Sequence, residues 1–166
     1  MTDPAPSPAP SKSPRRKRIA LGALGLFAAI QLVPYGRDHV NPPMGAEPAW
    51  DSPRTRELFM TTCGDCHSHA TRWPWYTHVA PASWLVTHDV MEGREHFNVS
   101  GWPTGDRHAD EAAEEYAEGE MPPWIYMPLH PDASLSAADR DALLAGLRAT
   151  FGQGDSADAH GEHEEH

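Results

Sequence analysis

The run Cys63-Gly64-Asp65-Cys66-His67 constrains this chain more than any other feature, because Cys63 and Cys66 are the only cysteines among its 166 residues. C-x-x-C-H is the attachment signature of a c-type haem. Each thiol forms a thioether to one vinyl group of the porphyrin, and the adjacent imidazole lies under the ring and ligates the iron. Thioredoxin-like redox exchange, half of a zinc site and a structural disulfide use the same pair of thiols. A thioredoxin-like motif closes a strand, whereas a helical pattern precedes Cys63 with no β-branched apolar run. Zinc needs further ligands, and no second C-x-x-C or H-x-x-x-H follows; C-x-x-C-H-x-H, with His69, is no standard zinc spacing. A disulfide satisfies the spacing but gives His67 no role. One covalent haem c, held by Cys63 and Cys66 with His67 on the iron, is the expected cofactor.

The amino terminus points to export. Residues 1–14 are rich in Pro, Ala and Ser, and such a tract buries too little to order itself. With Arg15, Arg16, Lys17 and Arg18 it is expected to form a disordered basic tail over 1–18. Ile19 to Tyr35 follows, with Gln31 its only strongly polar side chain. A basic block abutting an apolar run is read by the export machinery. At 17 residues the run sits at the lower limit for crossing a bilayer, and Leu32-Val33-Pro34-Tyr35-Gly36 offers no small-x-small cleavage site. The expectation over 19–35 is therefore an uncleaved transmembrane anchor, preferred to a cleaved signal segment. The positive flank then sets a single-pass topology in a bacterial inner membrane, the N-terminus cytoplasmic and the haem domain periplasmic.

Charge narrows the partners. The first 18 residues carry five cations against Asp3, a net of +4; the whole chain is −11, leaving −15 for the remainder. Nucleic acid is excluded as a partner for so acidic a surface. The membrane and redox partner proteins are expected instead.

Residues 36–49 contain Asn41-Pro42-Pro43 and Pro48 and read as an extended tether. The haem domain is placed at 50–150, and 151–166 as a disordered His- and Glu-rich tail. Ser52 as N-cap and Pro53 in the first helical position start a helix that runs into Cys63. Ser83 to Glu95 reads as a second helix, with Trp84, His88 and Met91 on one stripe and Asp89, Glu92 and Glu95 turned away. A third covers Ala109 to Glu118 and stops at Gly119; a fourth starts at the N-cap Ser136, with Leu143, Leu144 and Leu147 inward. No convincing strand is found. The aromatic cluster of Trp73, Trp75 and Tyr76, with Trp84, suits the wall of a porphyrin pocket.

The sixth iron ligand decides whether the metal shuttles electrons or binds small molecules. Met121, in Gly119-Glu120-Met121-Pro122-Pro123-Trp124, is the favoured donor, a soft thioether on a loop stiffened by two prolines. Its rivals are His88, Met91, Met127, His130 and Met44, or an open position.

A helix into C-x-x-C-H, a Met-Pro loop some fifty residues on and a closing helix resemble class I cytochromes c. The chain further resembles the bacterial haem-binding domain family of small membrane-tethered proteins. The matching stretches are Leu32–Arg37, Cys63–Ser68, Trp73–Tyr76, Ala80–Leu85, Gly119–Trp124 and Leu129–Pro131. The resemblance implies a mostly α, class I cytochrome c-like domain around a covalent haem, below an N-terminal transmembrane helix. It carries the thioethers to Cys63 and Cys66, the proximal role to His67 and the distal role to Met121. The expected function is a membrane-anchored monohaem cytochrome passing single electrons on the periplasmic side, a carrier more than a catalyst. The alternatives are a small haem peroxidase or a gas or redox sensor with a labile sixth ligand, a haem-storage module, and a haem-free thiol-disulfide protein.

Overall fold

Local capping chemistry starts and stops the helices around the motif. The computed structural model describes residues 14–104 and 108–152. The Pro-rich start over 1–13 and the His- and Glu-rich tail from 153 lie outside the described residues. Helix α1 spans Pro14–Ile30. Helix α2, Pro53–Thr62, begins with Pro53 at its first position, and the Ser52 hydroxyl accepts from the Thr55 amide. The single turn α3, Gly64–His67, holds the motif. Helix α4 is Ala82–His96, α5 is Ala112–Glu118 and α6 is Ala137–Phe151. Gly119, at φ +82°, ends α5 in the left-handed conformation, and the Ser136 hydroxyl caps α6 by accepting from the Asp139 amide. Helices dominate and there is no sheet among the described residues.

The transmembrane anchor expected over 19–35 is corrected. No described helix is long and apolar enough to cross a membrane. The basic block lies inside α1, so only Ile19–Ile30 is both apolar and helical. At 1.5 Å per residue those twelve residues reach about 18 Å, short of the ~30 Å of a bilayer core. After Ile30 the chain turns, and the Gln31 amide clamps both backbone groups of Ala80, donating to its carbonyl at 2.9 Å and accepting from its N–H at 3.0 Å. The single-pass topology, the periplasmic placement and the membrane as a partner fall with the anchor. The redox partner proteins were expected from the electron-carrier reading rather than from the anchor, and no feature of the described residues identifies one.

Residues 36–49 lie along the domain. Asn41 donates to the Thr71 carbonyl at 2.8 Å, the Gly45 amide to Ser100 at 3.0 Å, and the Trp102 amide to Ala46 at 3.1 Å.

The core joins Leu58 and Phe59 of α2, Phe97 and Val99 after α4, Tyr116 of α5, and Leu143, Leu147 and Phe151 of α6. Each fully buried large side chain among them contributes roughly 1.5–3 kcal/mol. Phe97 is the aromatic hub, meeting Phe59 and Phe151 edge-on with ring centroids 5.7 and 5.1 Å away. Helices α2 and α6 cross at Gly146, where a Cβ would stand 2.1 Å from Thr55 Oγ1 and 2.8 Å from Thr55 Cβ. Thr55 is itself buried, so it has no room to retreat. Gly146→Ala is therefore expected to lower unfolding free energy by about 1–3 kcal/mol. Chemical denaturation would show this as a lower midpoint with an unchanged slope.

Candidate functional site

The motif forms one helical turn because the Cys63 carbonyl accepts from both the Cys66 amide (3.2 Å) and the His67 amide (3.0 Å). That turn sets Cys63 and Cys66 three residues apart on one face, with His67 beside them. The Ser68 hydroxyl donates to the Gly64 carbonyl at 2.6 Å and the chain then leaves in extended backbone, ending the turn. Helix α4 packs against the turn at Gly93, where a Cβ would lie 2.9 Å from the Cys66 carbonyl oxygen and 3.1 Å from Cys66 Cβ. Only a residue without a side chain permits that approach.

His67 is oriented from behind. Its Nδ1 lies 2.9 Å from the Phe97 carbonyl oxygen, which fixes the tautomer with hydrogen on Nδ1 and a lone pair on Nε2. Nε2 makes no hydrogen bond among the described residues. A ring nitrogen tied to a carbonyl while the other is left basic is the arrangement of a metal-bound histidine. Burial lowers the pKa of His67, opposed by the carbonyls of Phe97 and Gly93, and the neutral form is the one that ligates.

The two thiols and His67 open into a largely apolar cavity of about 700 Å³, within the roughly 300–1,000 Å³ of small-molecule and cofactor sites. Phe59 and Thr62 of α2, Leu85, Val86 and Val90 of α4, and Met121, Ile125, Tyr126, Leu129 and His130 supply much of the wall. Cys63 and Cys66 form no disulfide. Burial pushes both thiols up to about 12, and Cys66 is raised further by the carboxylates of Asp65 and Asp89. Thiol-disulfide enzymes depress a cysteine pKa, so this environment opposes the haem-free redox reading. The size, the apolar lining, two unpaired thiols and a free imidazole nitrogen all fit a haem.

Beside the motif lies a polar cluster. The Asp65 carboxylate, only 8 % exposed, accepts from the Arg72 backbone amide (2.8 Å) and from the Arg72 guanidinium at Nε (3.2 Å) and Nη2 (3.0 Å). It also accepts from the Tyr126 hydroxyl at 2.7 Å. Tyr126 stacks on His130 with ring centroids 3.6 Å apart. His130 Nδ1 meets the Tyr126 carbonyl at 2.9 Å, and its Nε2 meets the Tyr76 hydroxyl at 3.2 Å.

The structure sorts the residues singled out in the sequence. Cys63, Cys66, His67, Tyr76 and Met121 line the cavity together. Trp73, Trp75 and Trp84 do not: Trp73 stacks on His39 and donates to Asn41, and Trp75 is 78 % exposed. Among the rival ligands, His88 and Met91 lie exposed on the far side of α4, with His88 facing Glu92. Met44 accepts from the Ser100 hydroxyl away from the cavity. Met127 lines a separate 170 Å³ cavity that shares Met121 as a wall. His130 lines the main cavity with both ring nitrogens engaged. The inward face of α4 is Ser83, Val86, Val90 and Gly93 rather than the Trp84, His88 and Met91 stripe, and Asp89 lines the cavity instead of turning away. Asp65, Arg72, Tyr126, His96 and His108 are further cavity residues that the sequence reading passed over. What brings them to one cavity is contact between segments distant along the chain, such as Tyr126 with Asp65, which no local pattern signals.

Two measurements check this electrostatic description. In haem-free protein, alkylation of Cys63 and Cys66 at neutral pH is expected to run at least about tenfold slower than that of a free cysteine near pKa 8.5. Burial and the hydrogen bond to Asp65 raise the Tyr126 phenol. A raised phenol stabilises the fold fully below the unfolded value of about 10 and loses that contribution as pH climbs toward the folded value. Stability measured through the alkaline range should therefore fall more steeply in the parent protein than in Tyr126→Phe.

Comparison with curated proteins finds no match, and comparison with solved structures finds none either. Of the expected fold, the mostly α-helical domain is borne out among the described residues and the N-terminal transmembrane helix is not. The anchored, periplasmic electron carrier is likewise not upheld, since no described helix spans a membrane. What is supported is narrower: a family model described as a haem-binding domain matches residues 25–149. That match takes in α2 through nearly all of α6 and every cavity residue named above, and the chain belongs to the haem-binding domain family.

Proposed function

We propose that the cavity holds one haem bound covalently, with thioethers from Cys63 and Cys66 to the two vinyl groups, His67 Nε2 on one face of the iron and the Met121 sulfur on the other. The observation that carries this reading is convergence: both cysteines, His67 with Nε2 unpartnered, and Met121 face one cavity of about 700 Å³. Met121 is the only methionine lining it among the described residues, and His130, the nearest competitor, has both nitrogens occupied.

The residues have separate tasks. Cys63 and Cys66 hold the ring and fix its orientation, and the Phe97 carbonyl keeps the His67 lone pair on Nε2. Apolar side chains from α2 and α4 exclude water, which raises the weight of nearby charges such as Asp65. Bound haem supplies one-electron exchange at its iron, tuned by the axial pair and by burial.

Met121→Ala tests the distal assignment. Ferric holoprotein carrying the substitution should lose the methionine-to-iron charge-transfer absorption while keeping its covalent haem. Survival of that absorption would assign the sixth ligand elsewhere.

A further inference from the structure

The Met121 loop has few attachments to the body of the domain. Between Met121 and His130 most side chains are exposed, and Met121 itself is 37 % exposed. Most backbone hydrogen bonds in this stretch are local: the Tyr126 amide to Pro123, the Leu129 amide to Tyr126, the His130 amide to Met127. Besides the Ala133 amide donating to the His130 carbonyl at the loop's far end, three bonds reach outside it among the described residues. The Met121 amide donates to the Glu115 carbonyl at 3.3 Å, the Tyr76 hydroxyl meets His130 Nε2 at 3.2 Å, and the Tyr126 hydroxyl donates to Asp65 Oδ2 at 2.7 Å. The last is the shortest and ends on a buried carboxylate that the Arg72 guanidinium holds in place. Hydrogen bonds to charged groups are about twice as strong as neutral ones.

Asp65 occupies a variable position inside C-x-x-C-H, one residue from Cys66 and two from His67. The Tyr126–Asp65 bond therefore ties the turn carrying both thioethers and the proximal ligand to the loop carrying the distal one.

We propose that Tyr126 and Asp65 form a latch that holds Met121 on the haem iron, so that releasing it opens the sixth position to small ligands. Both are positioning residues, acting on the iron through Met121. The inference rests on the ligation proposed above for His67 and Met121.

The test uses holoprotein matured in a host competent for covalent haem attachment, with carbon monoxide as the probe of the reduced protein. Tyr126→Phe removes the hydroxyl and leaves the ring stacked on His130. It should raise carbon monoxide affinity at least about tenfold and weaken the ferric methionine absorption, with covalent haem content unchanged. Asp65→Ala, which removes the acceptor, should act in the same direction, and the double variant should not exceed the larger single effect, because once Asp65 is gone the Tyr126 hydroxyl has no latch left to lose. If one variant fails to retain haem, the other carries the test. Unchanged affinity in a haem-loaded variant whose parent shows the methionine absorption overturns the latch alone. A parent lacking that absorption overturns the Met121 ligation, and the latch with it.

Discussion

A single hydrogen bond behind an imidazole organises the site. The Phe97 carbonyl, immediately after α4, accepts from His67 Nδ1. That bond chooses the tautomer and leaves Nε2 as the basic nitrogen. It also requires α4 to end beside the motif turn, and the missing side chain at Gly93 permits this by letting the helix approach the Cys66 carbonyl. Phe97 at once supplies the carbonyl that accepts from His67 and forms the aromatic hub between Phe59 and Phe151. Orientation of the His67 imidazole and packing of the core are therefore one arrangement.

The opposite wall is built on different physics. Where the motif side is anchored by buried apolar surface, the loop from Met121 to His130 is mostly exposed and held by a few polar contacts. Asp65 concentrates those contacts, taking three hydrogen bonds from Arg72 and one from Tyr126. The Arg72 guanidinium also reaches Asp132 at 2.6 Å, beyond the loop's far end. A buried carboxylate is stable only when its oxygens are this fully satisfied. The site thus joins a half built on the buried core around the motif to an opposite half held by a small charged cluster.

Features set by neighbouring residues were legible in the sequence. The Ser52–Pro53 start of α2, the Ser136 cap of α6 and the Gly119 stop of α5 all follow from chemistry within four residues. The convergence of Met121 with the motif was expected from the loop and the family resemblance, and both line the cavity. Features set by distant partners were not legible. Periodicity marked α4 as a helix but chose the wrong face, because its inward residues include the buried Ser83 and the half-buried Gly93, which face inward for closeness of approach and not for apolarity. The tryptophans looked like a porphyrin wall by composition, yet Trp73 is claimed by His39 and Asn41, more than thirty residues away. The same separation hid the Asp65–Tyr126 pair. At the amino terminus, an apolar run was counted as one helix although only its first twelve residues are helical.

Covalent attachment through Cys63 and Cys66 is the claim on which the proposed function turns. The most direct measurement is a pyridine haemochrome spectrum of the protein, produced in a host that attaches haem to C-x-x-C-H, after acid-acetone extraction. The account predicts haem that stays with the polypeptide, in equimolar amount, with the absorption of a porphyrin whose vinyl groups are saturated. Colourless protein, or haem that passes into the organic phase with its vinyl groups intact, would contradict it.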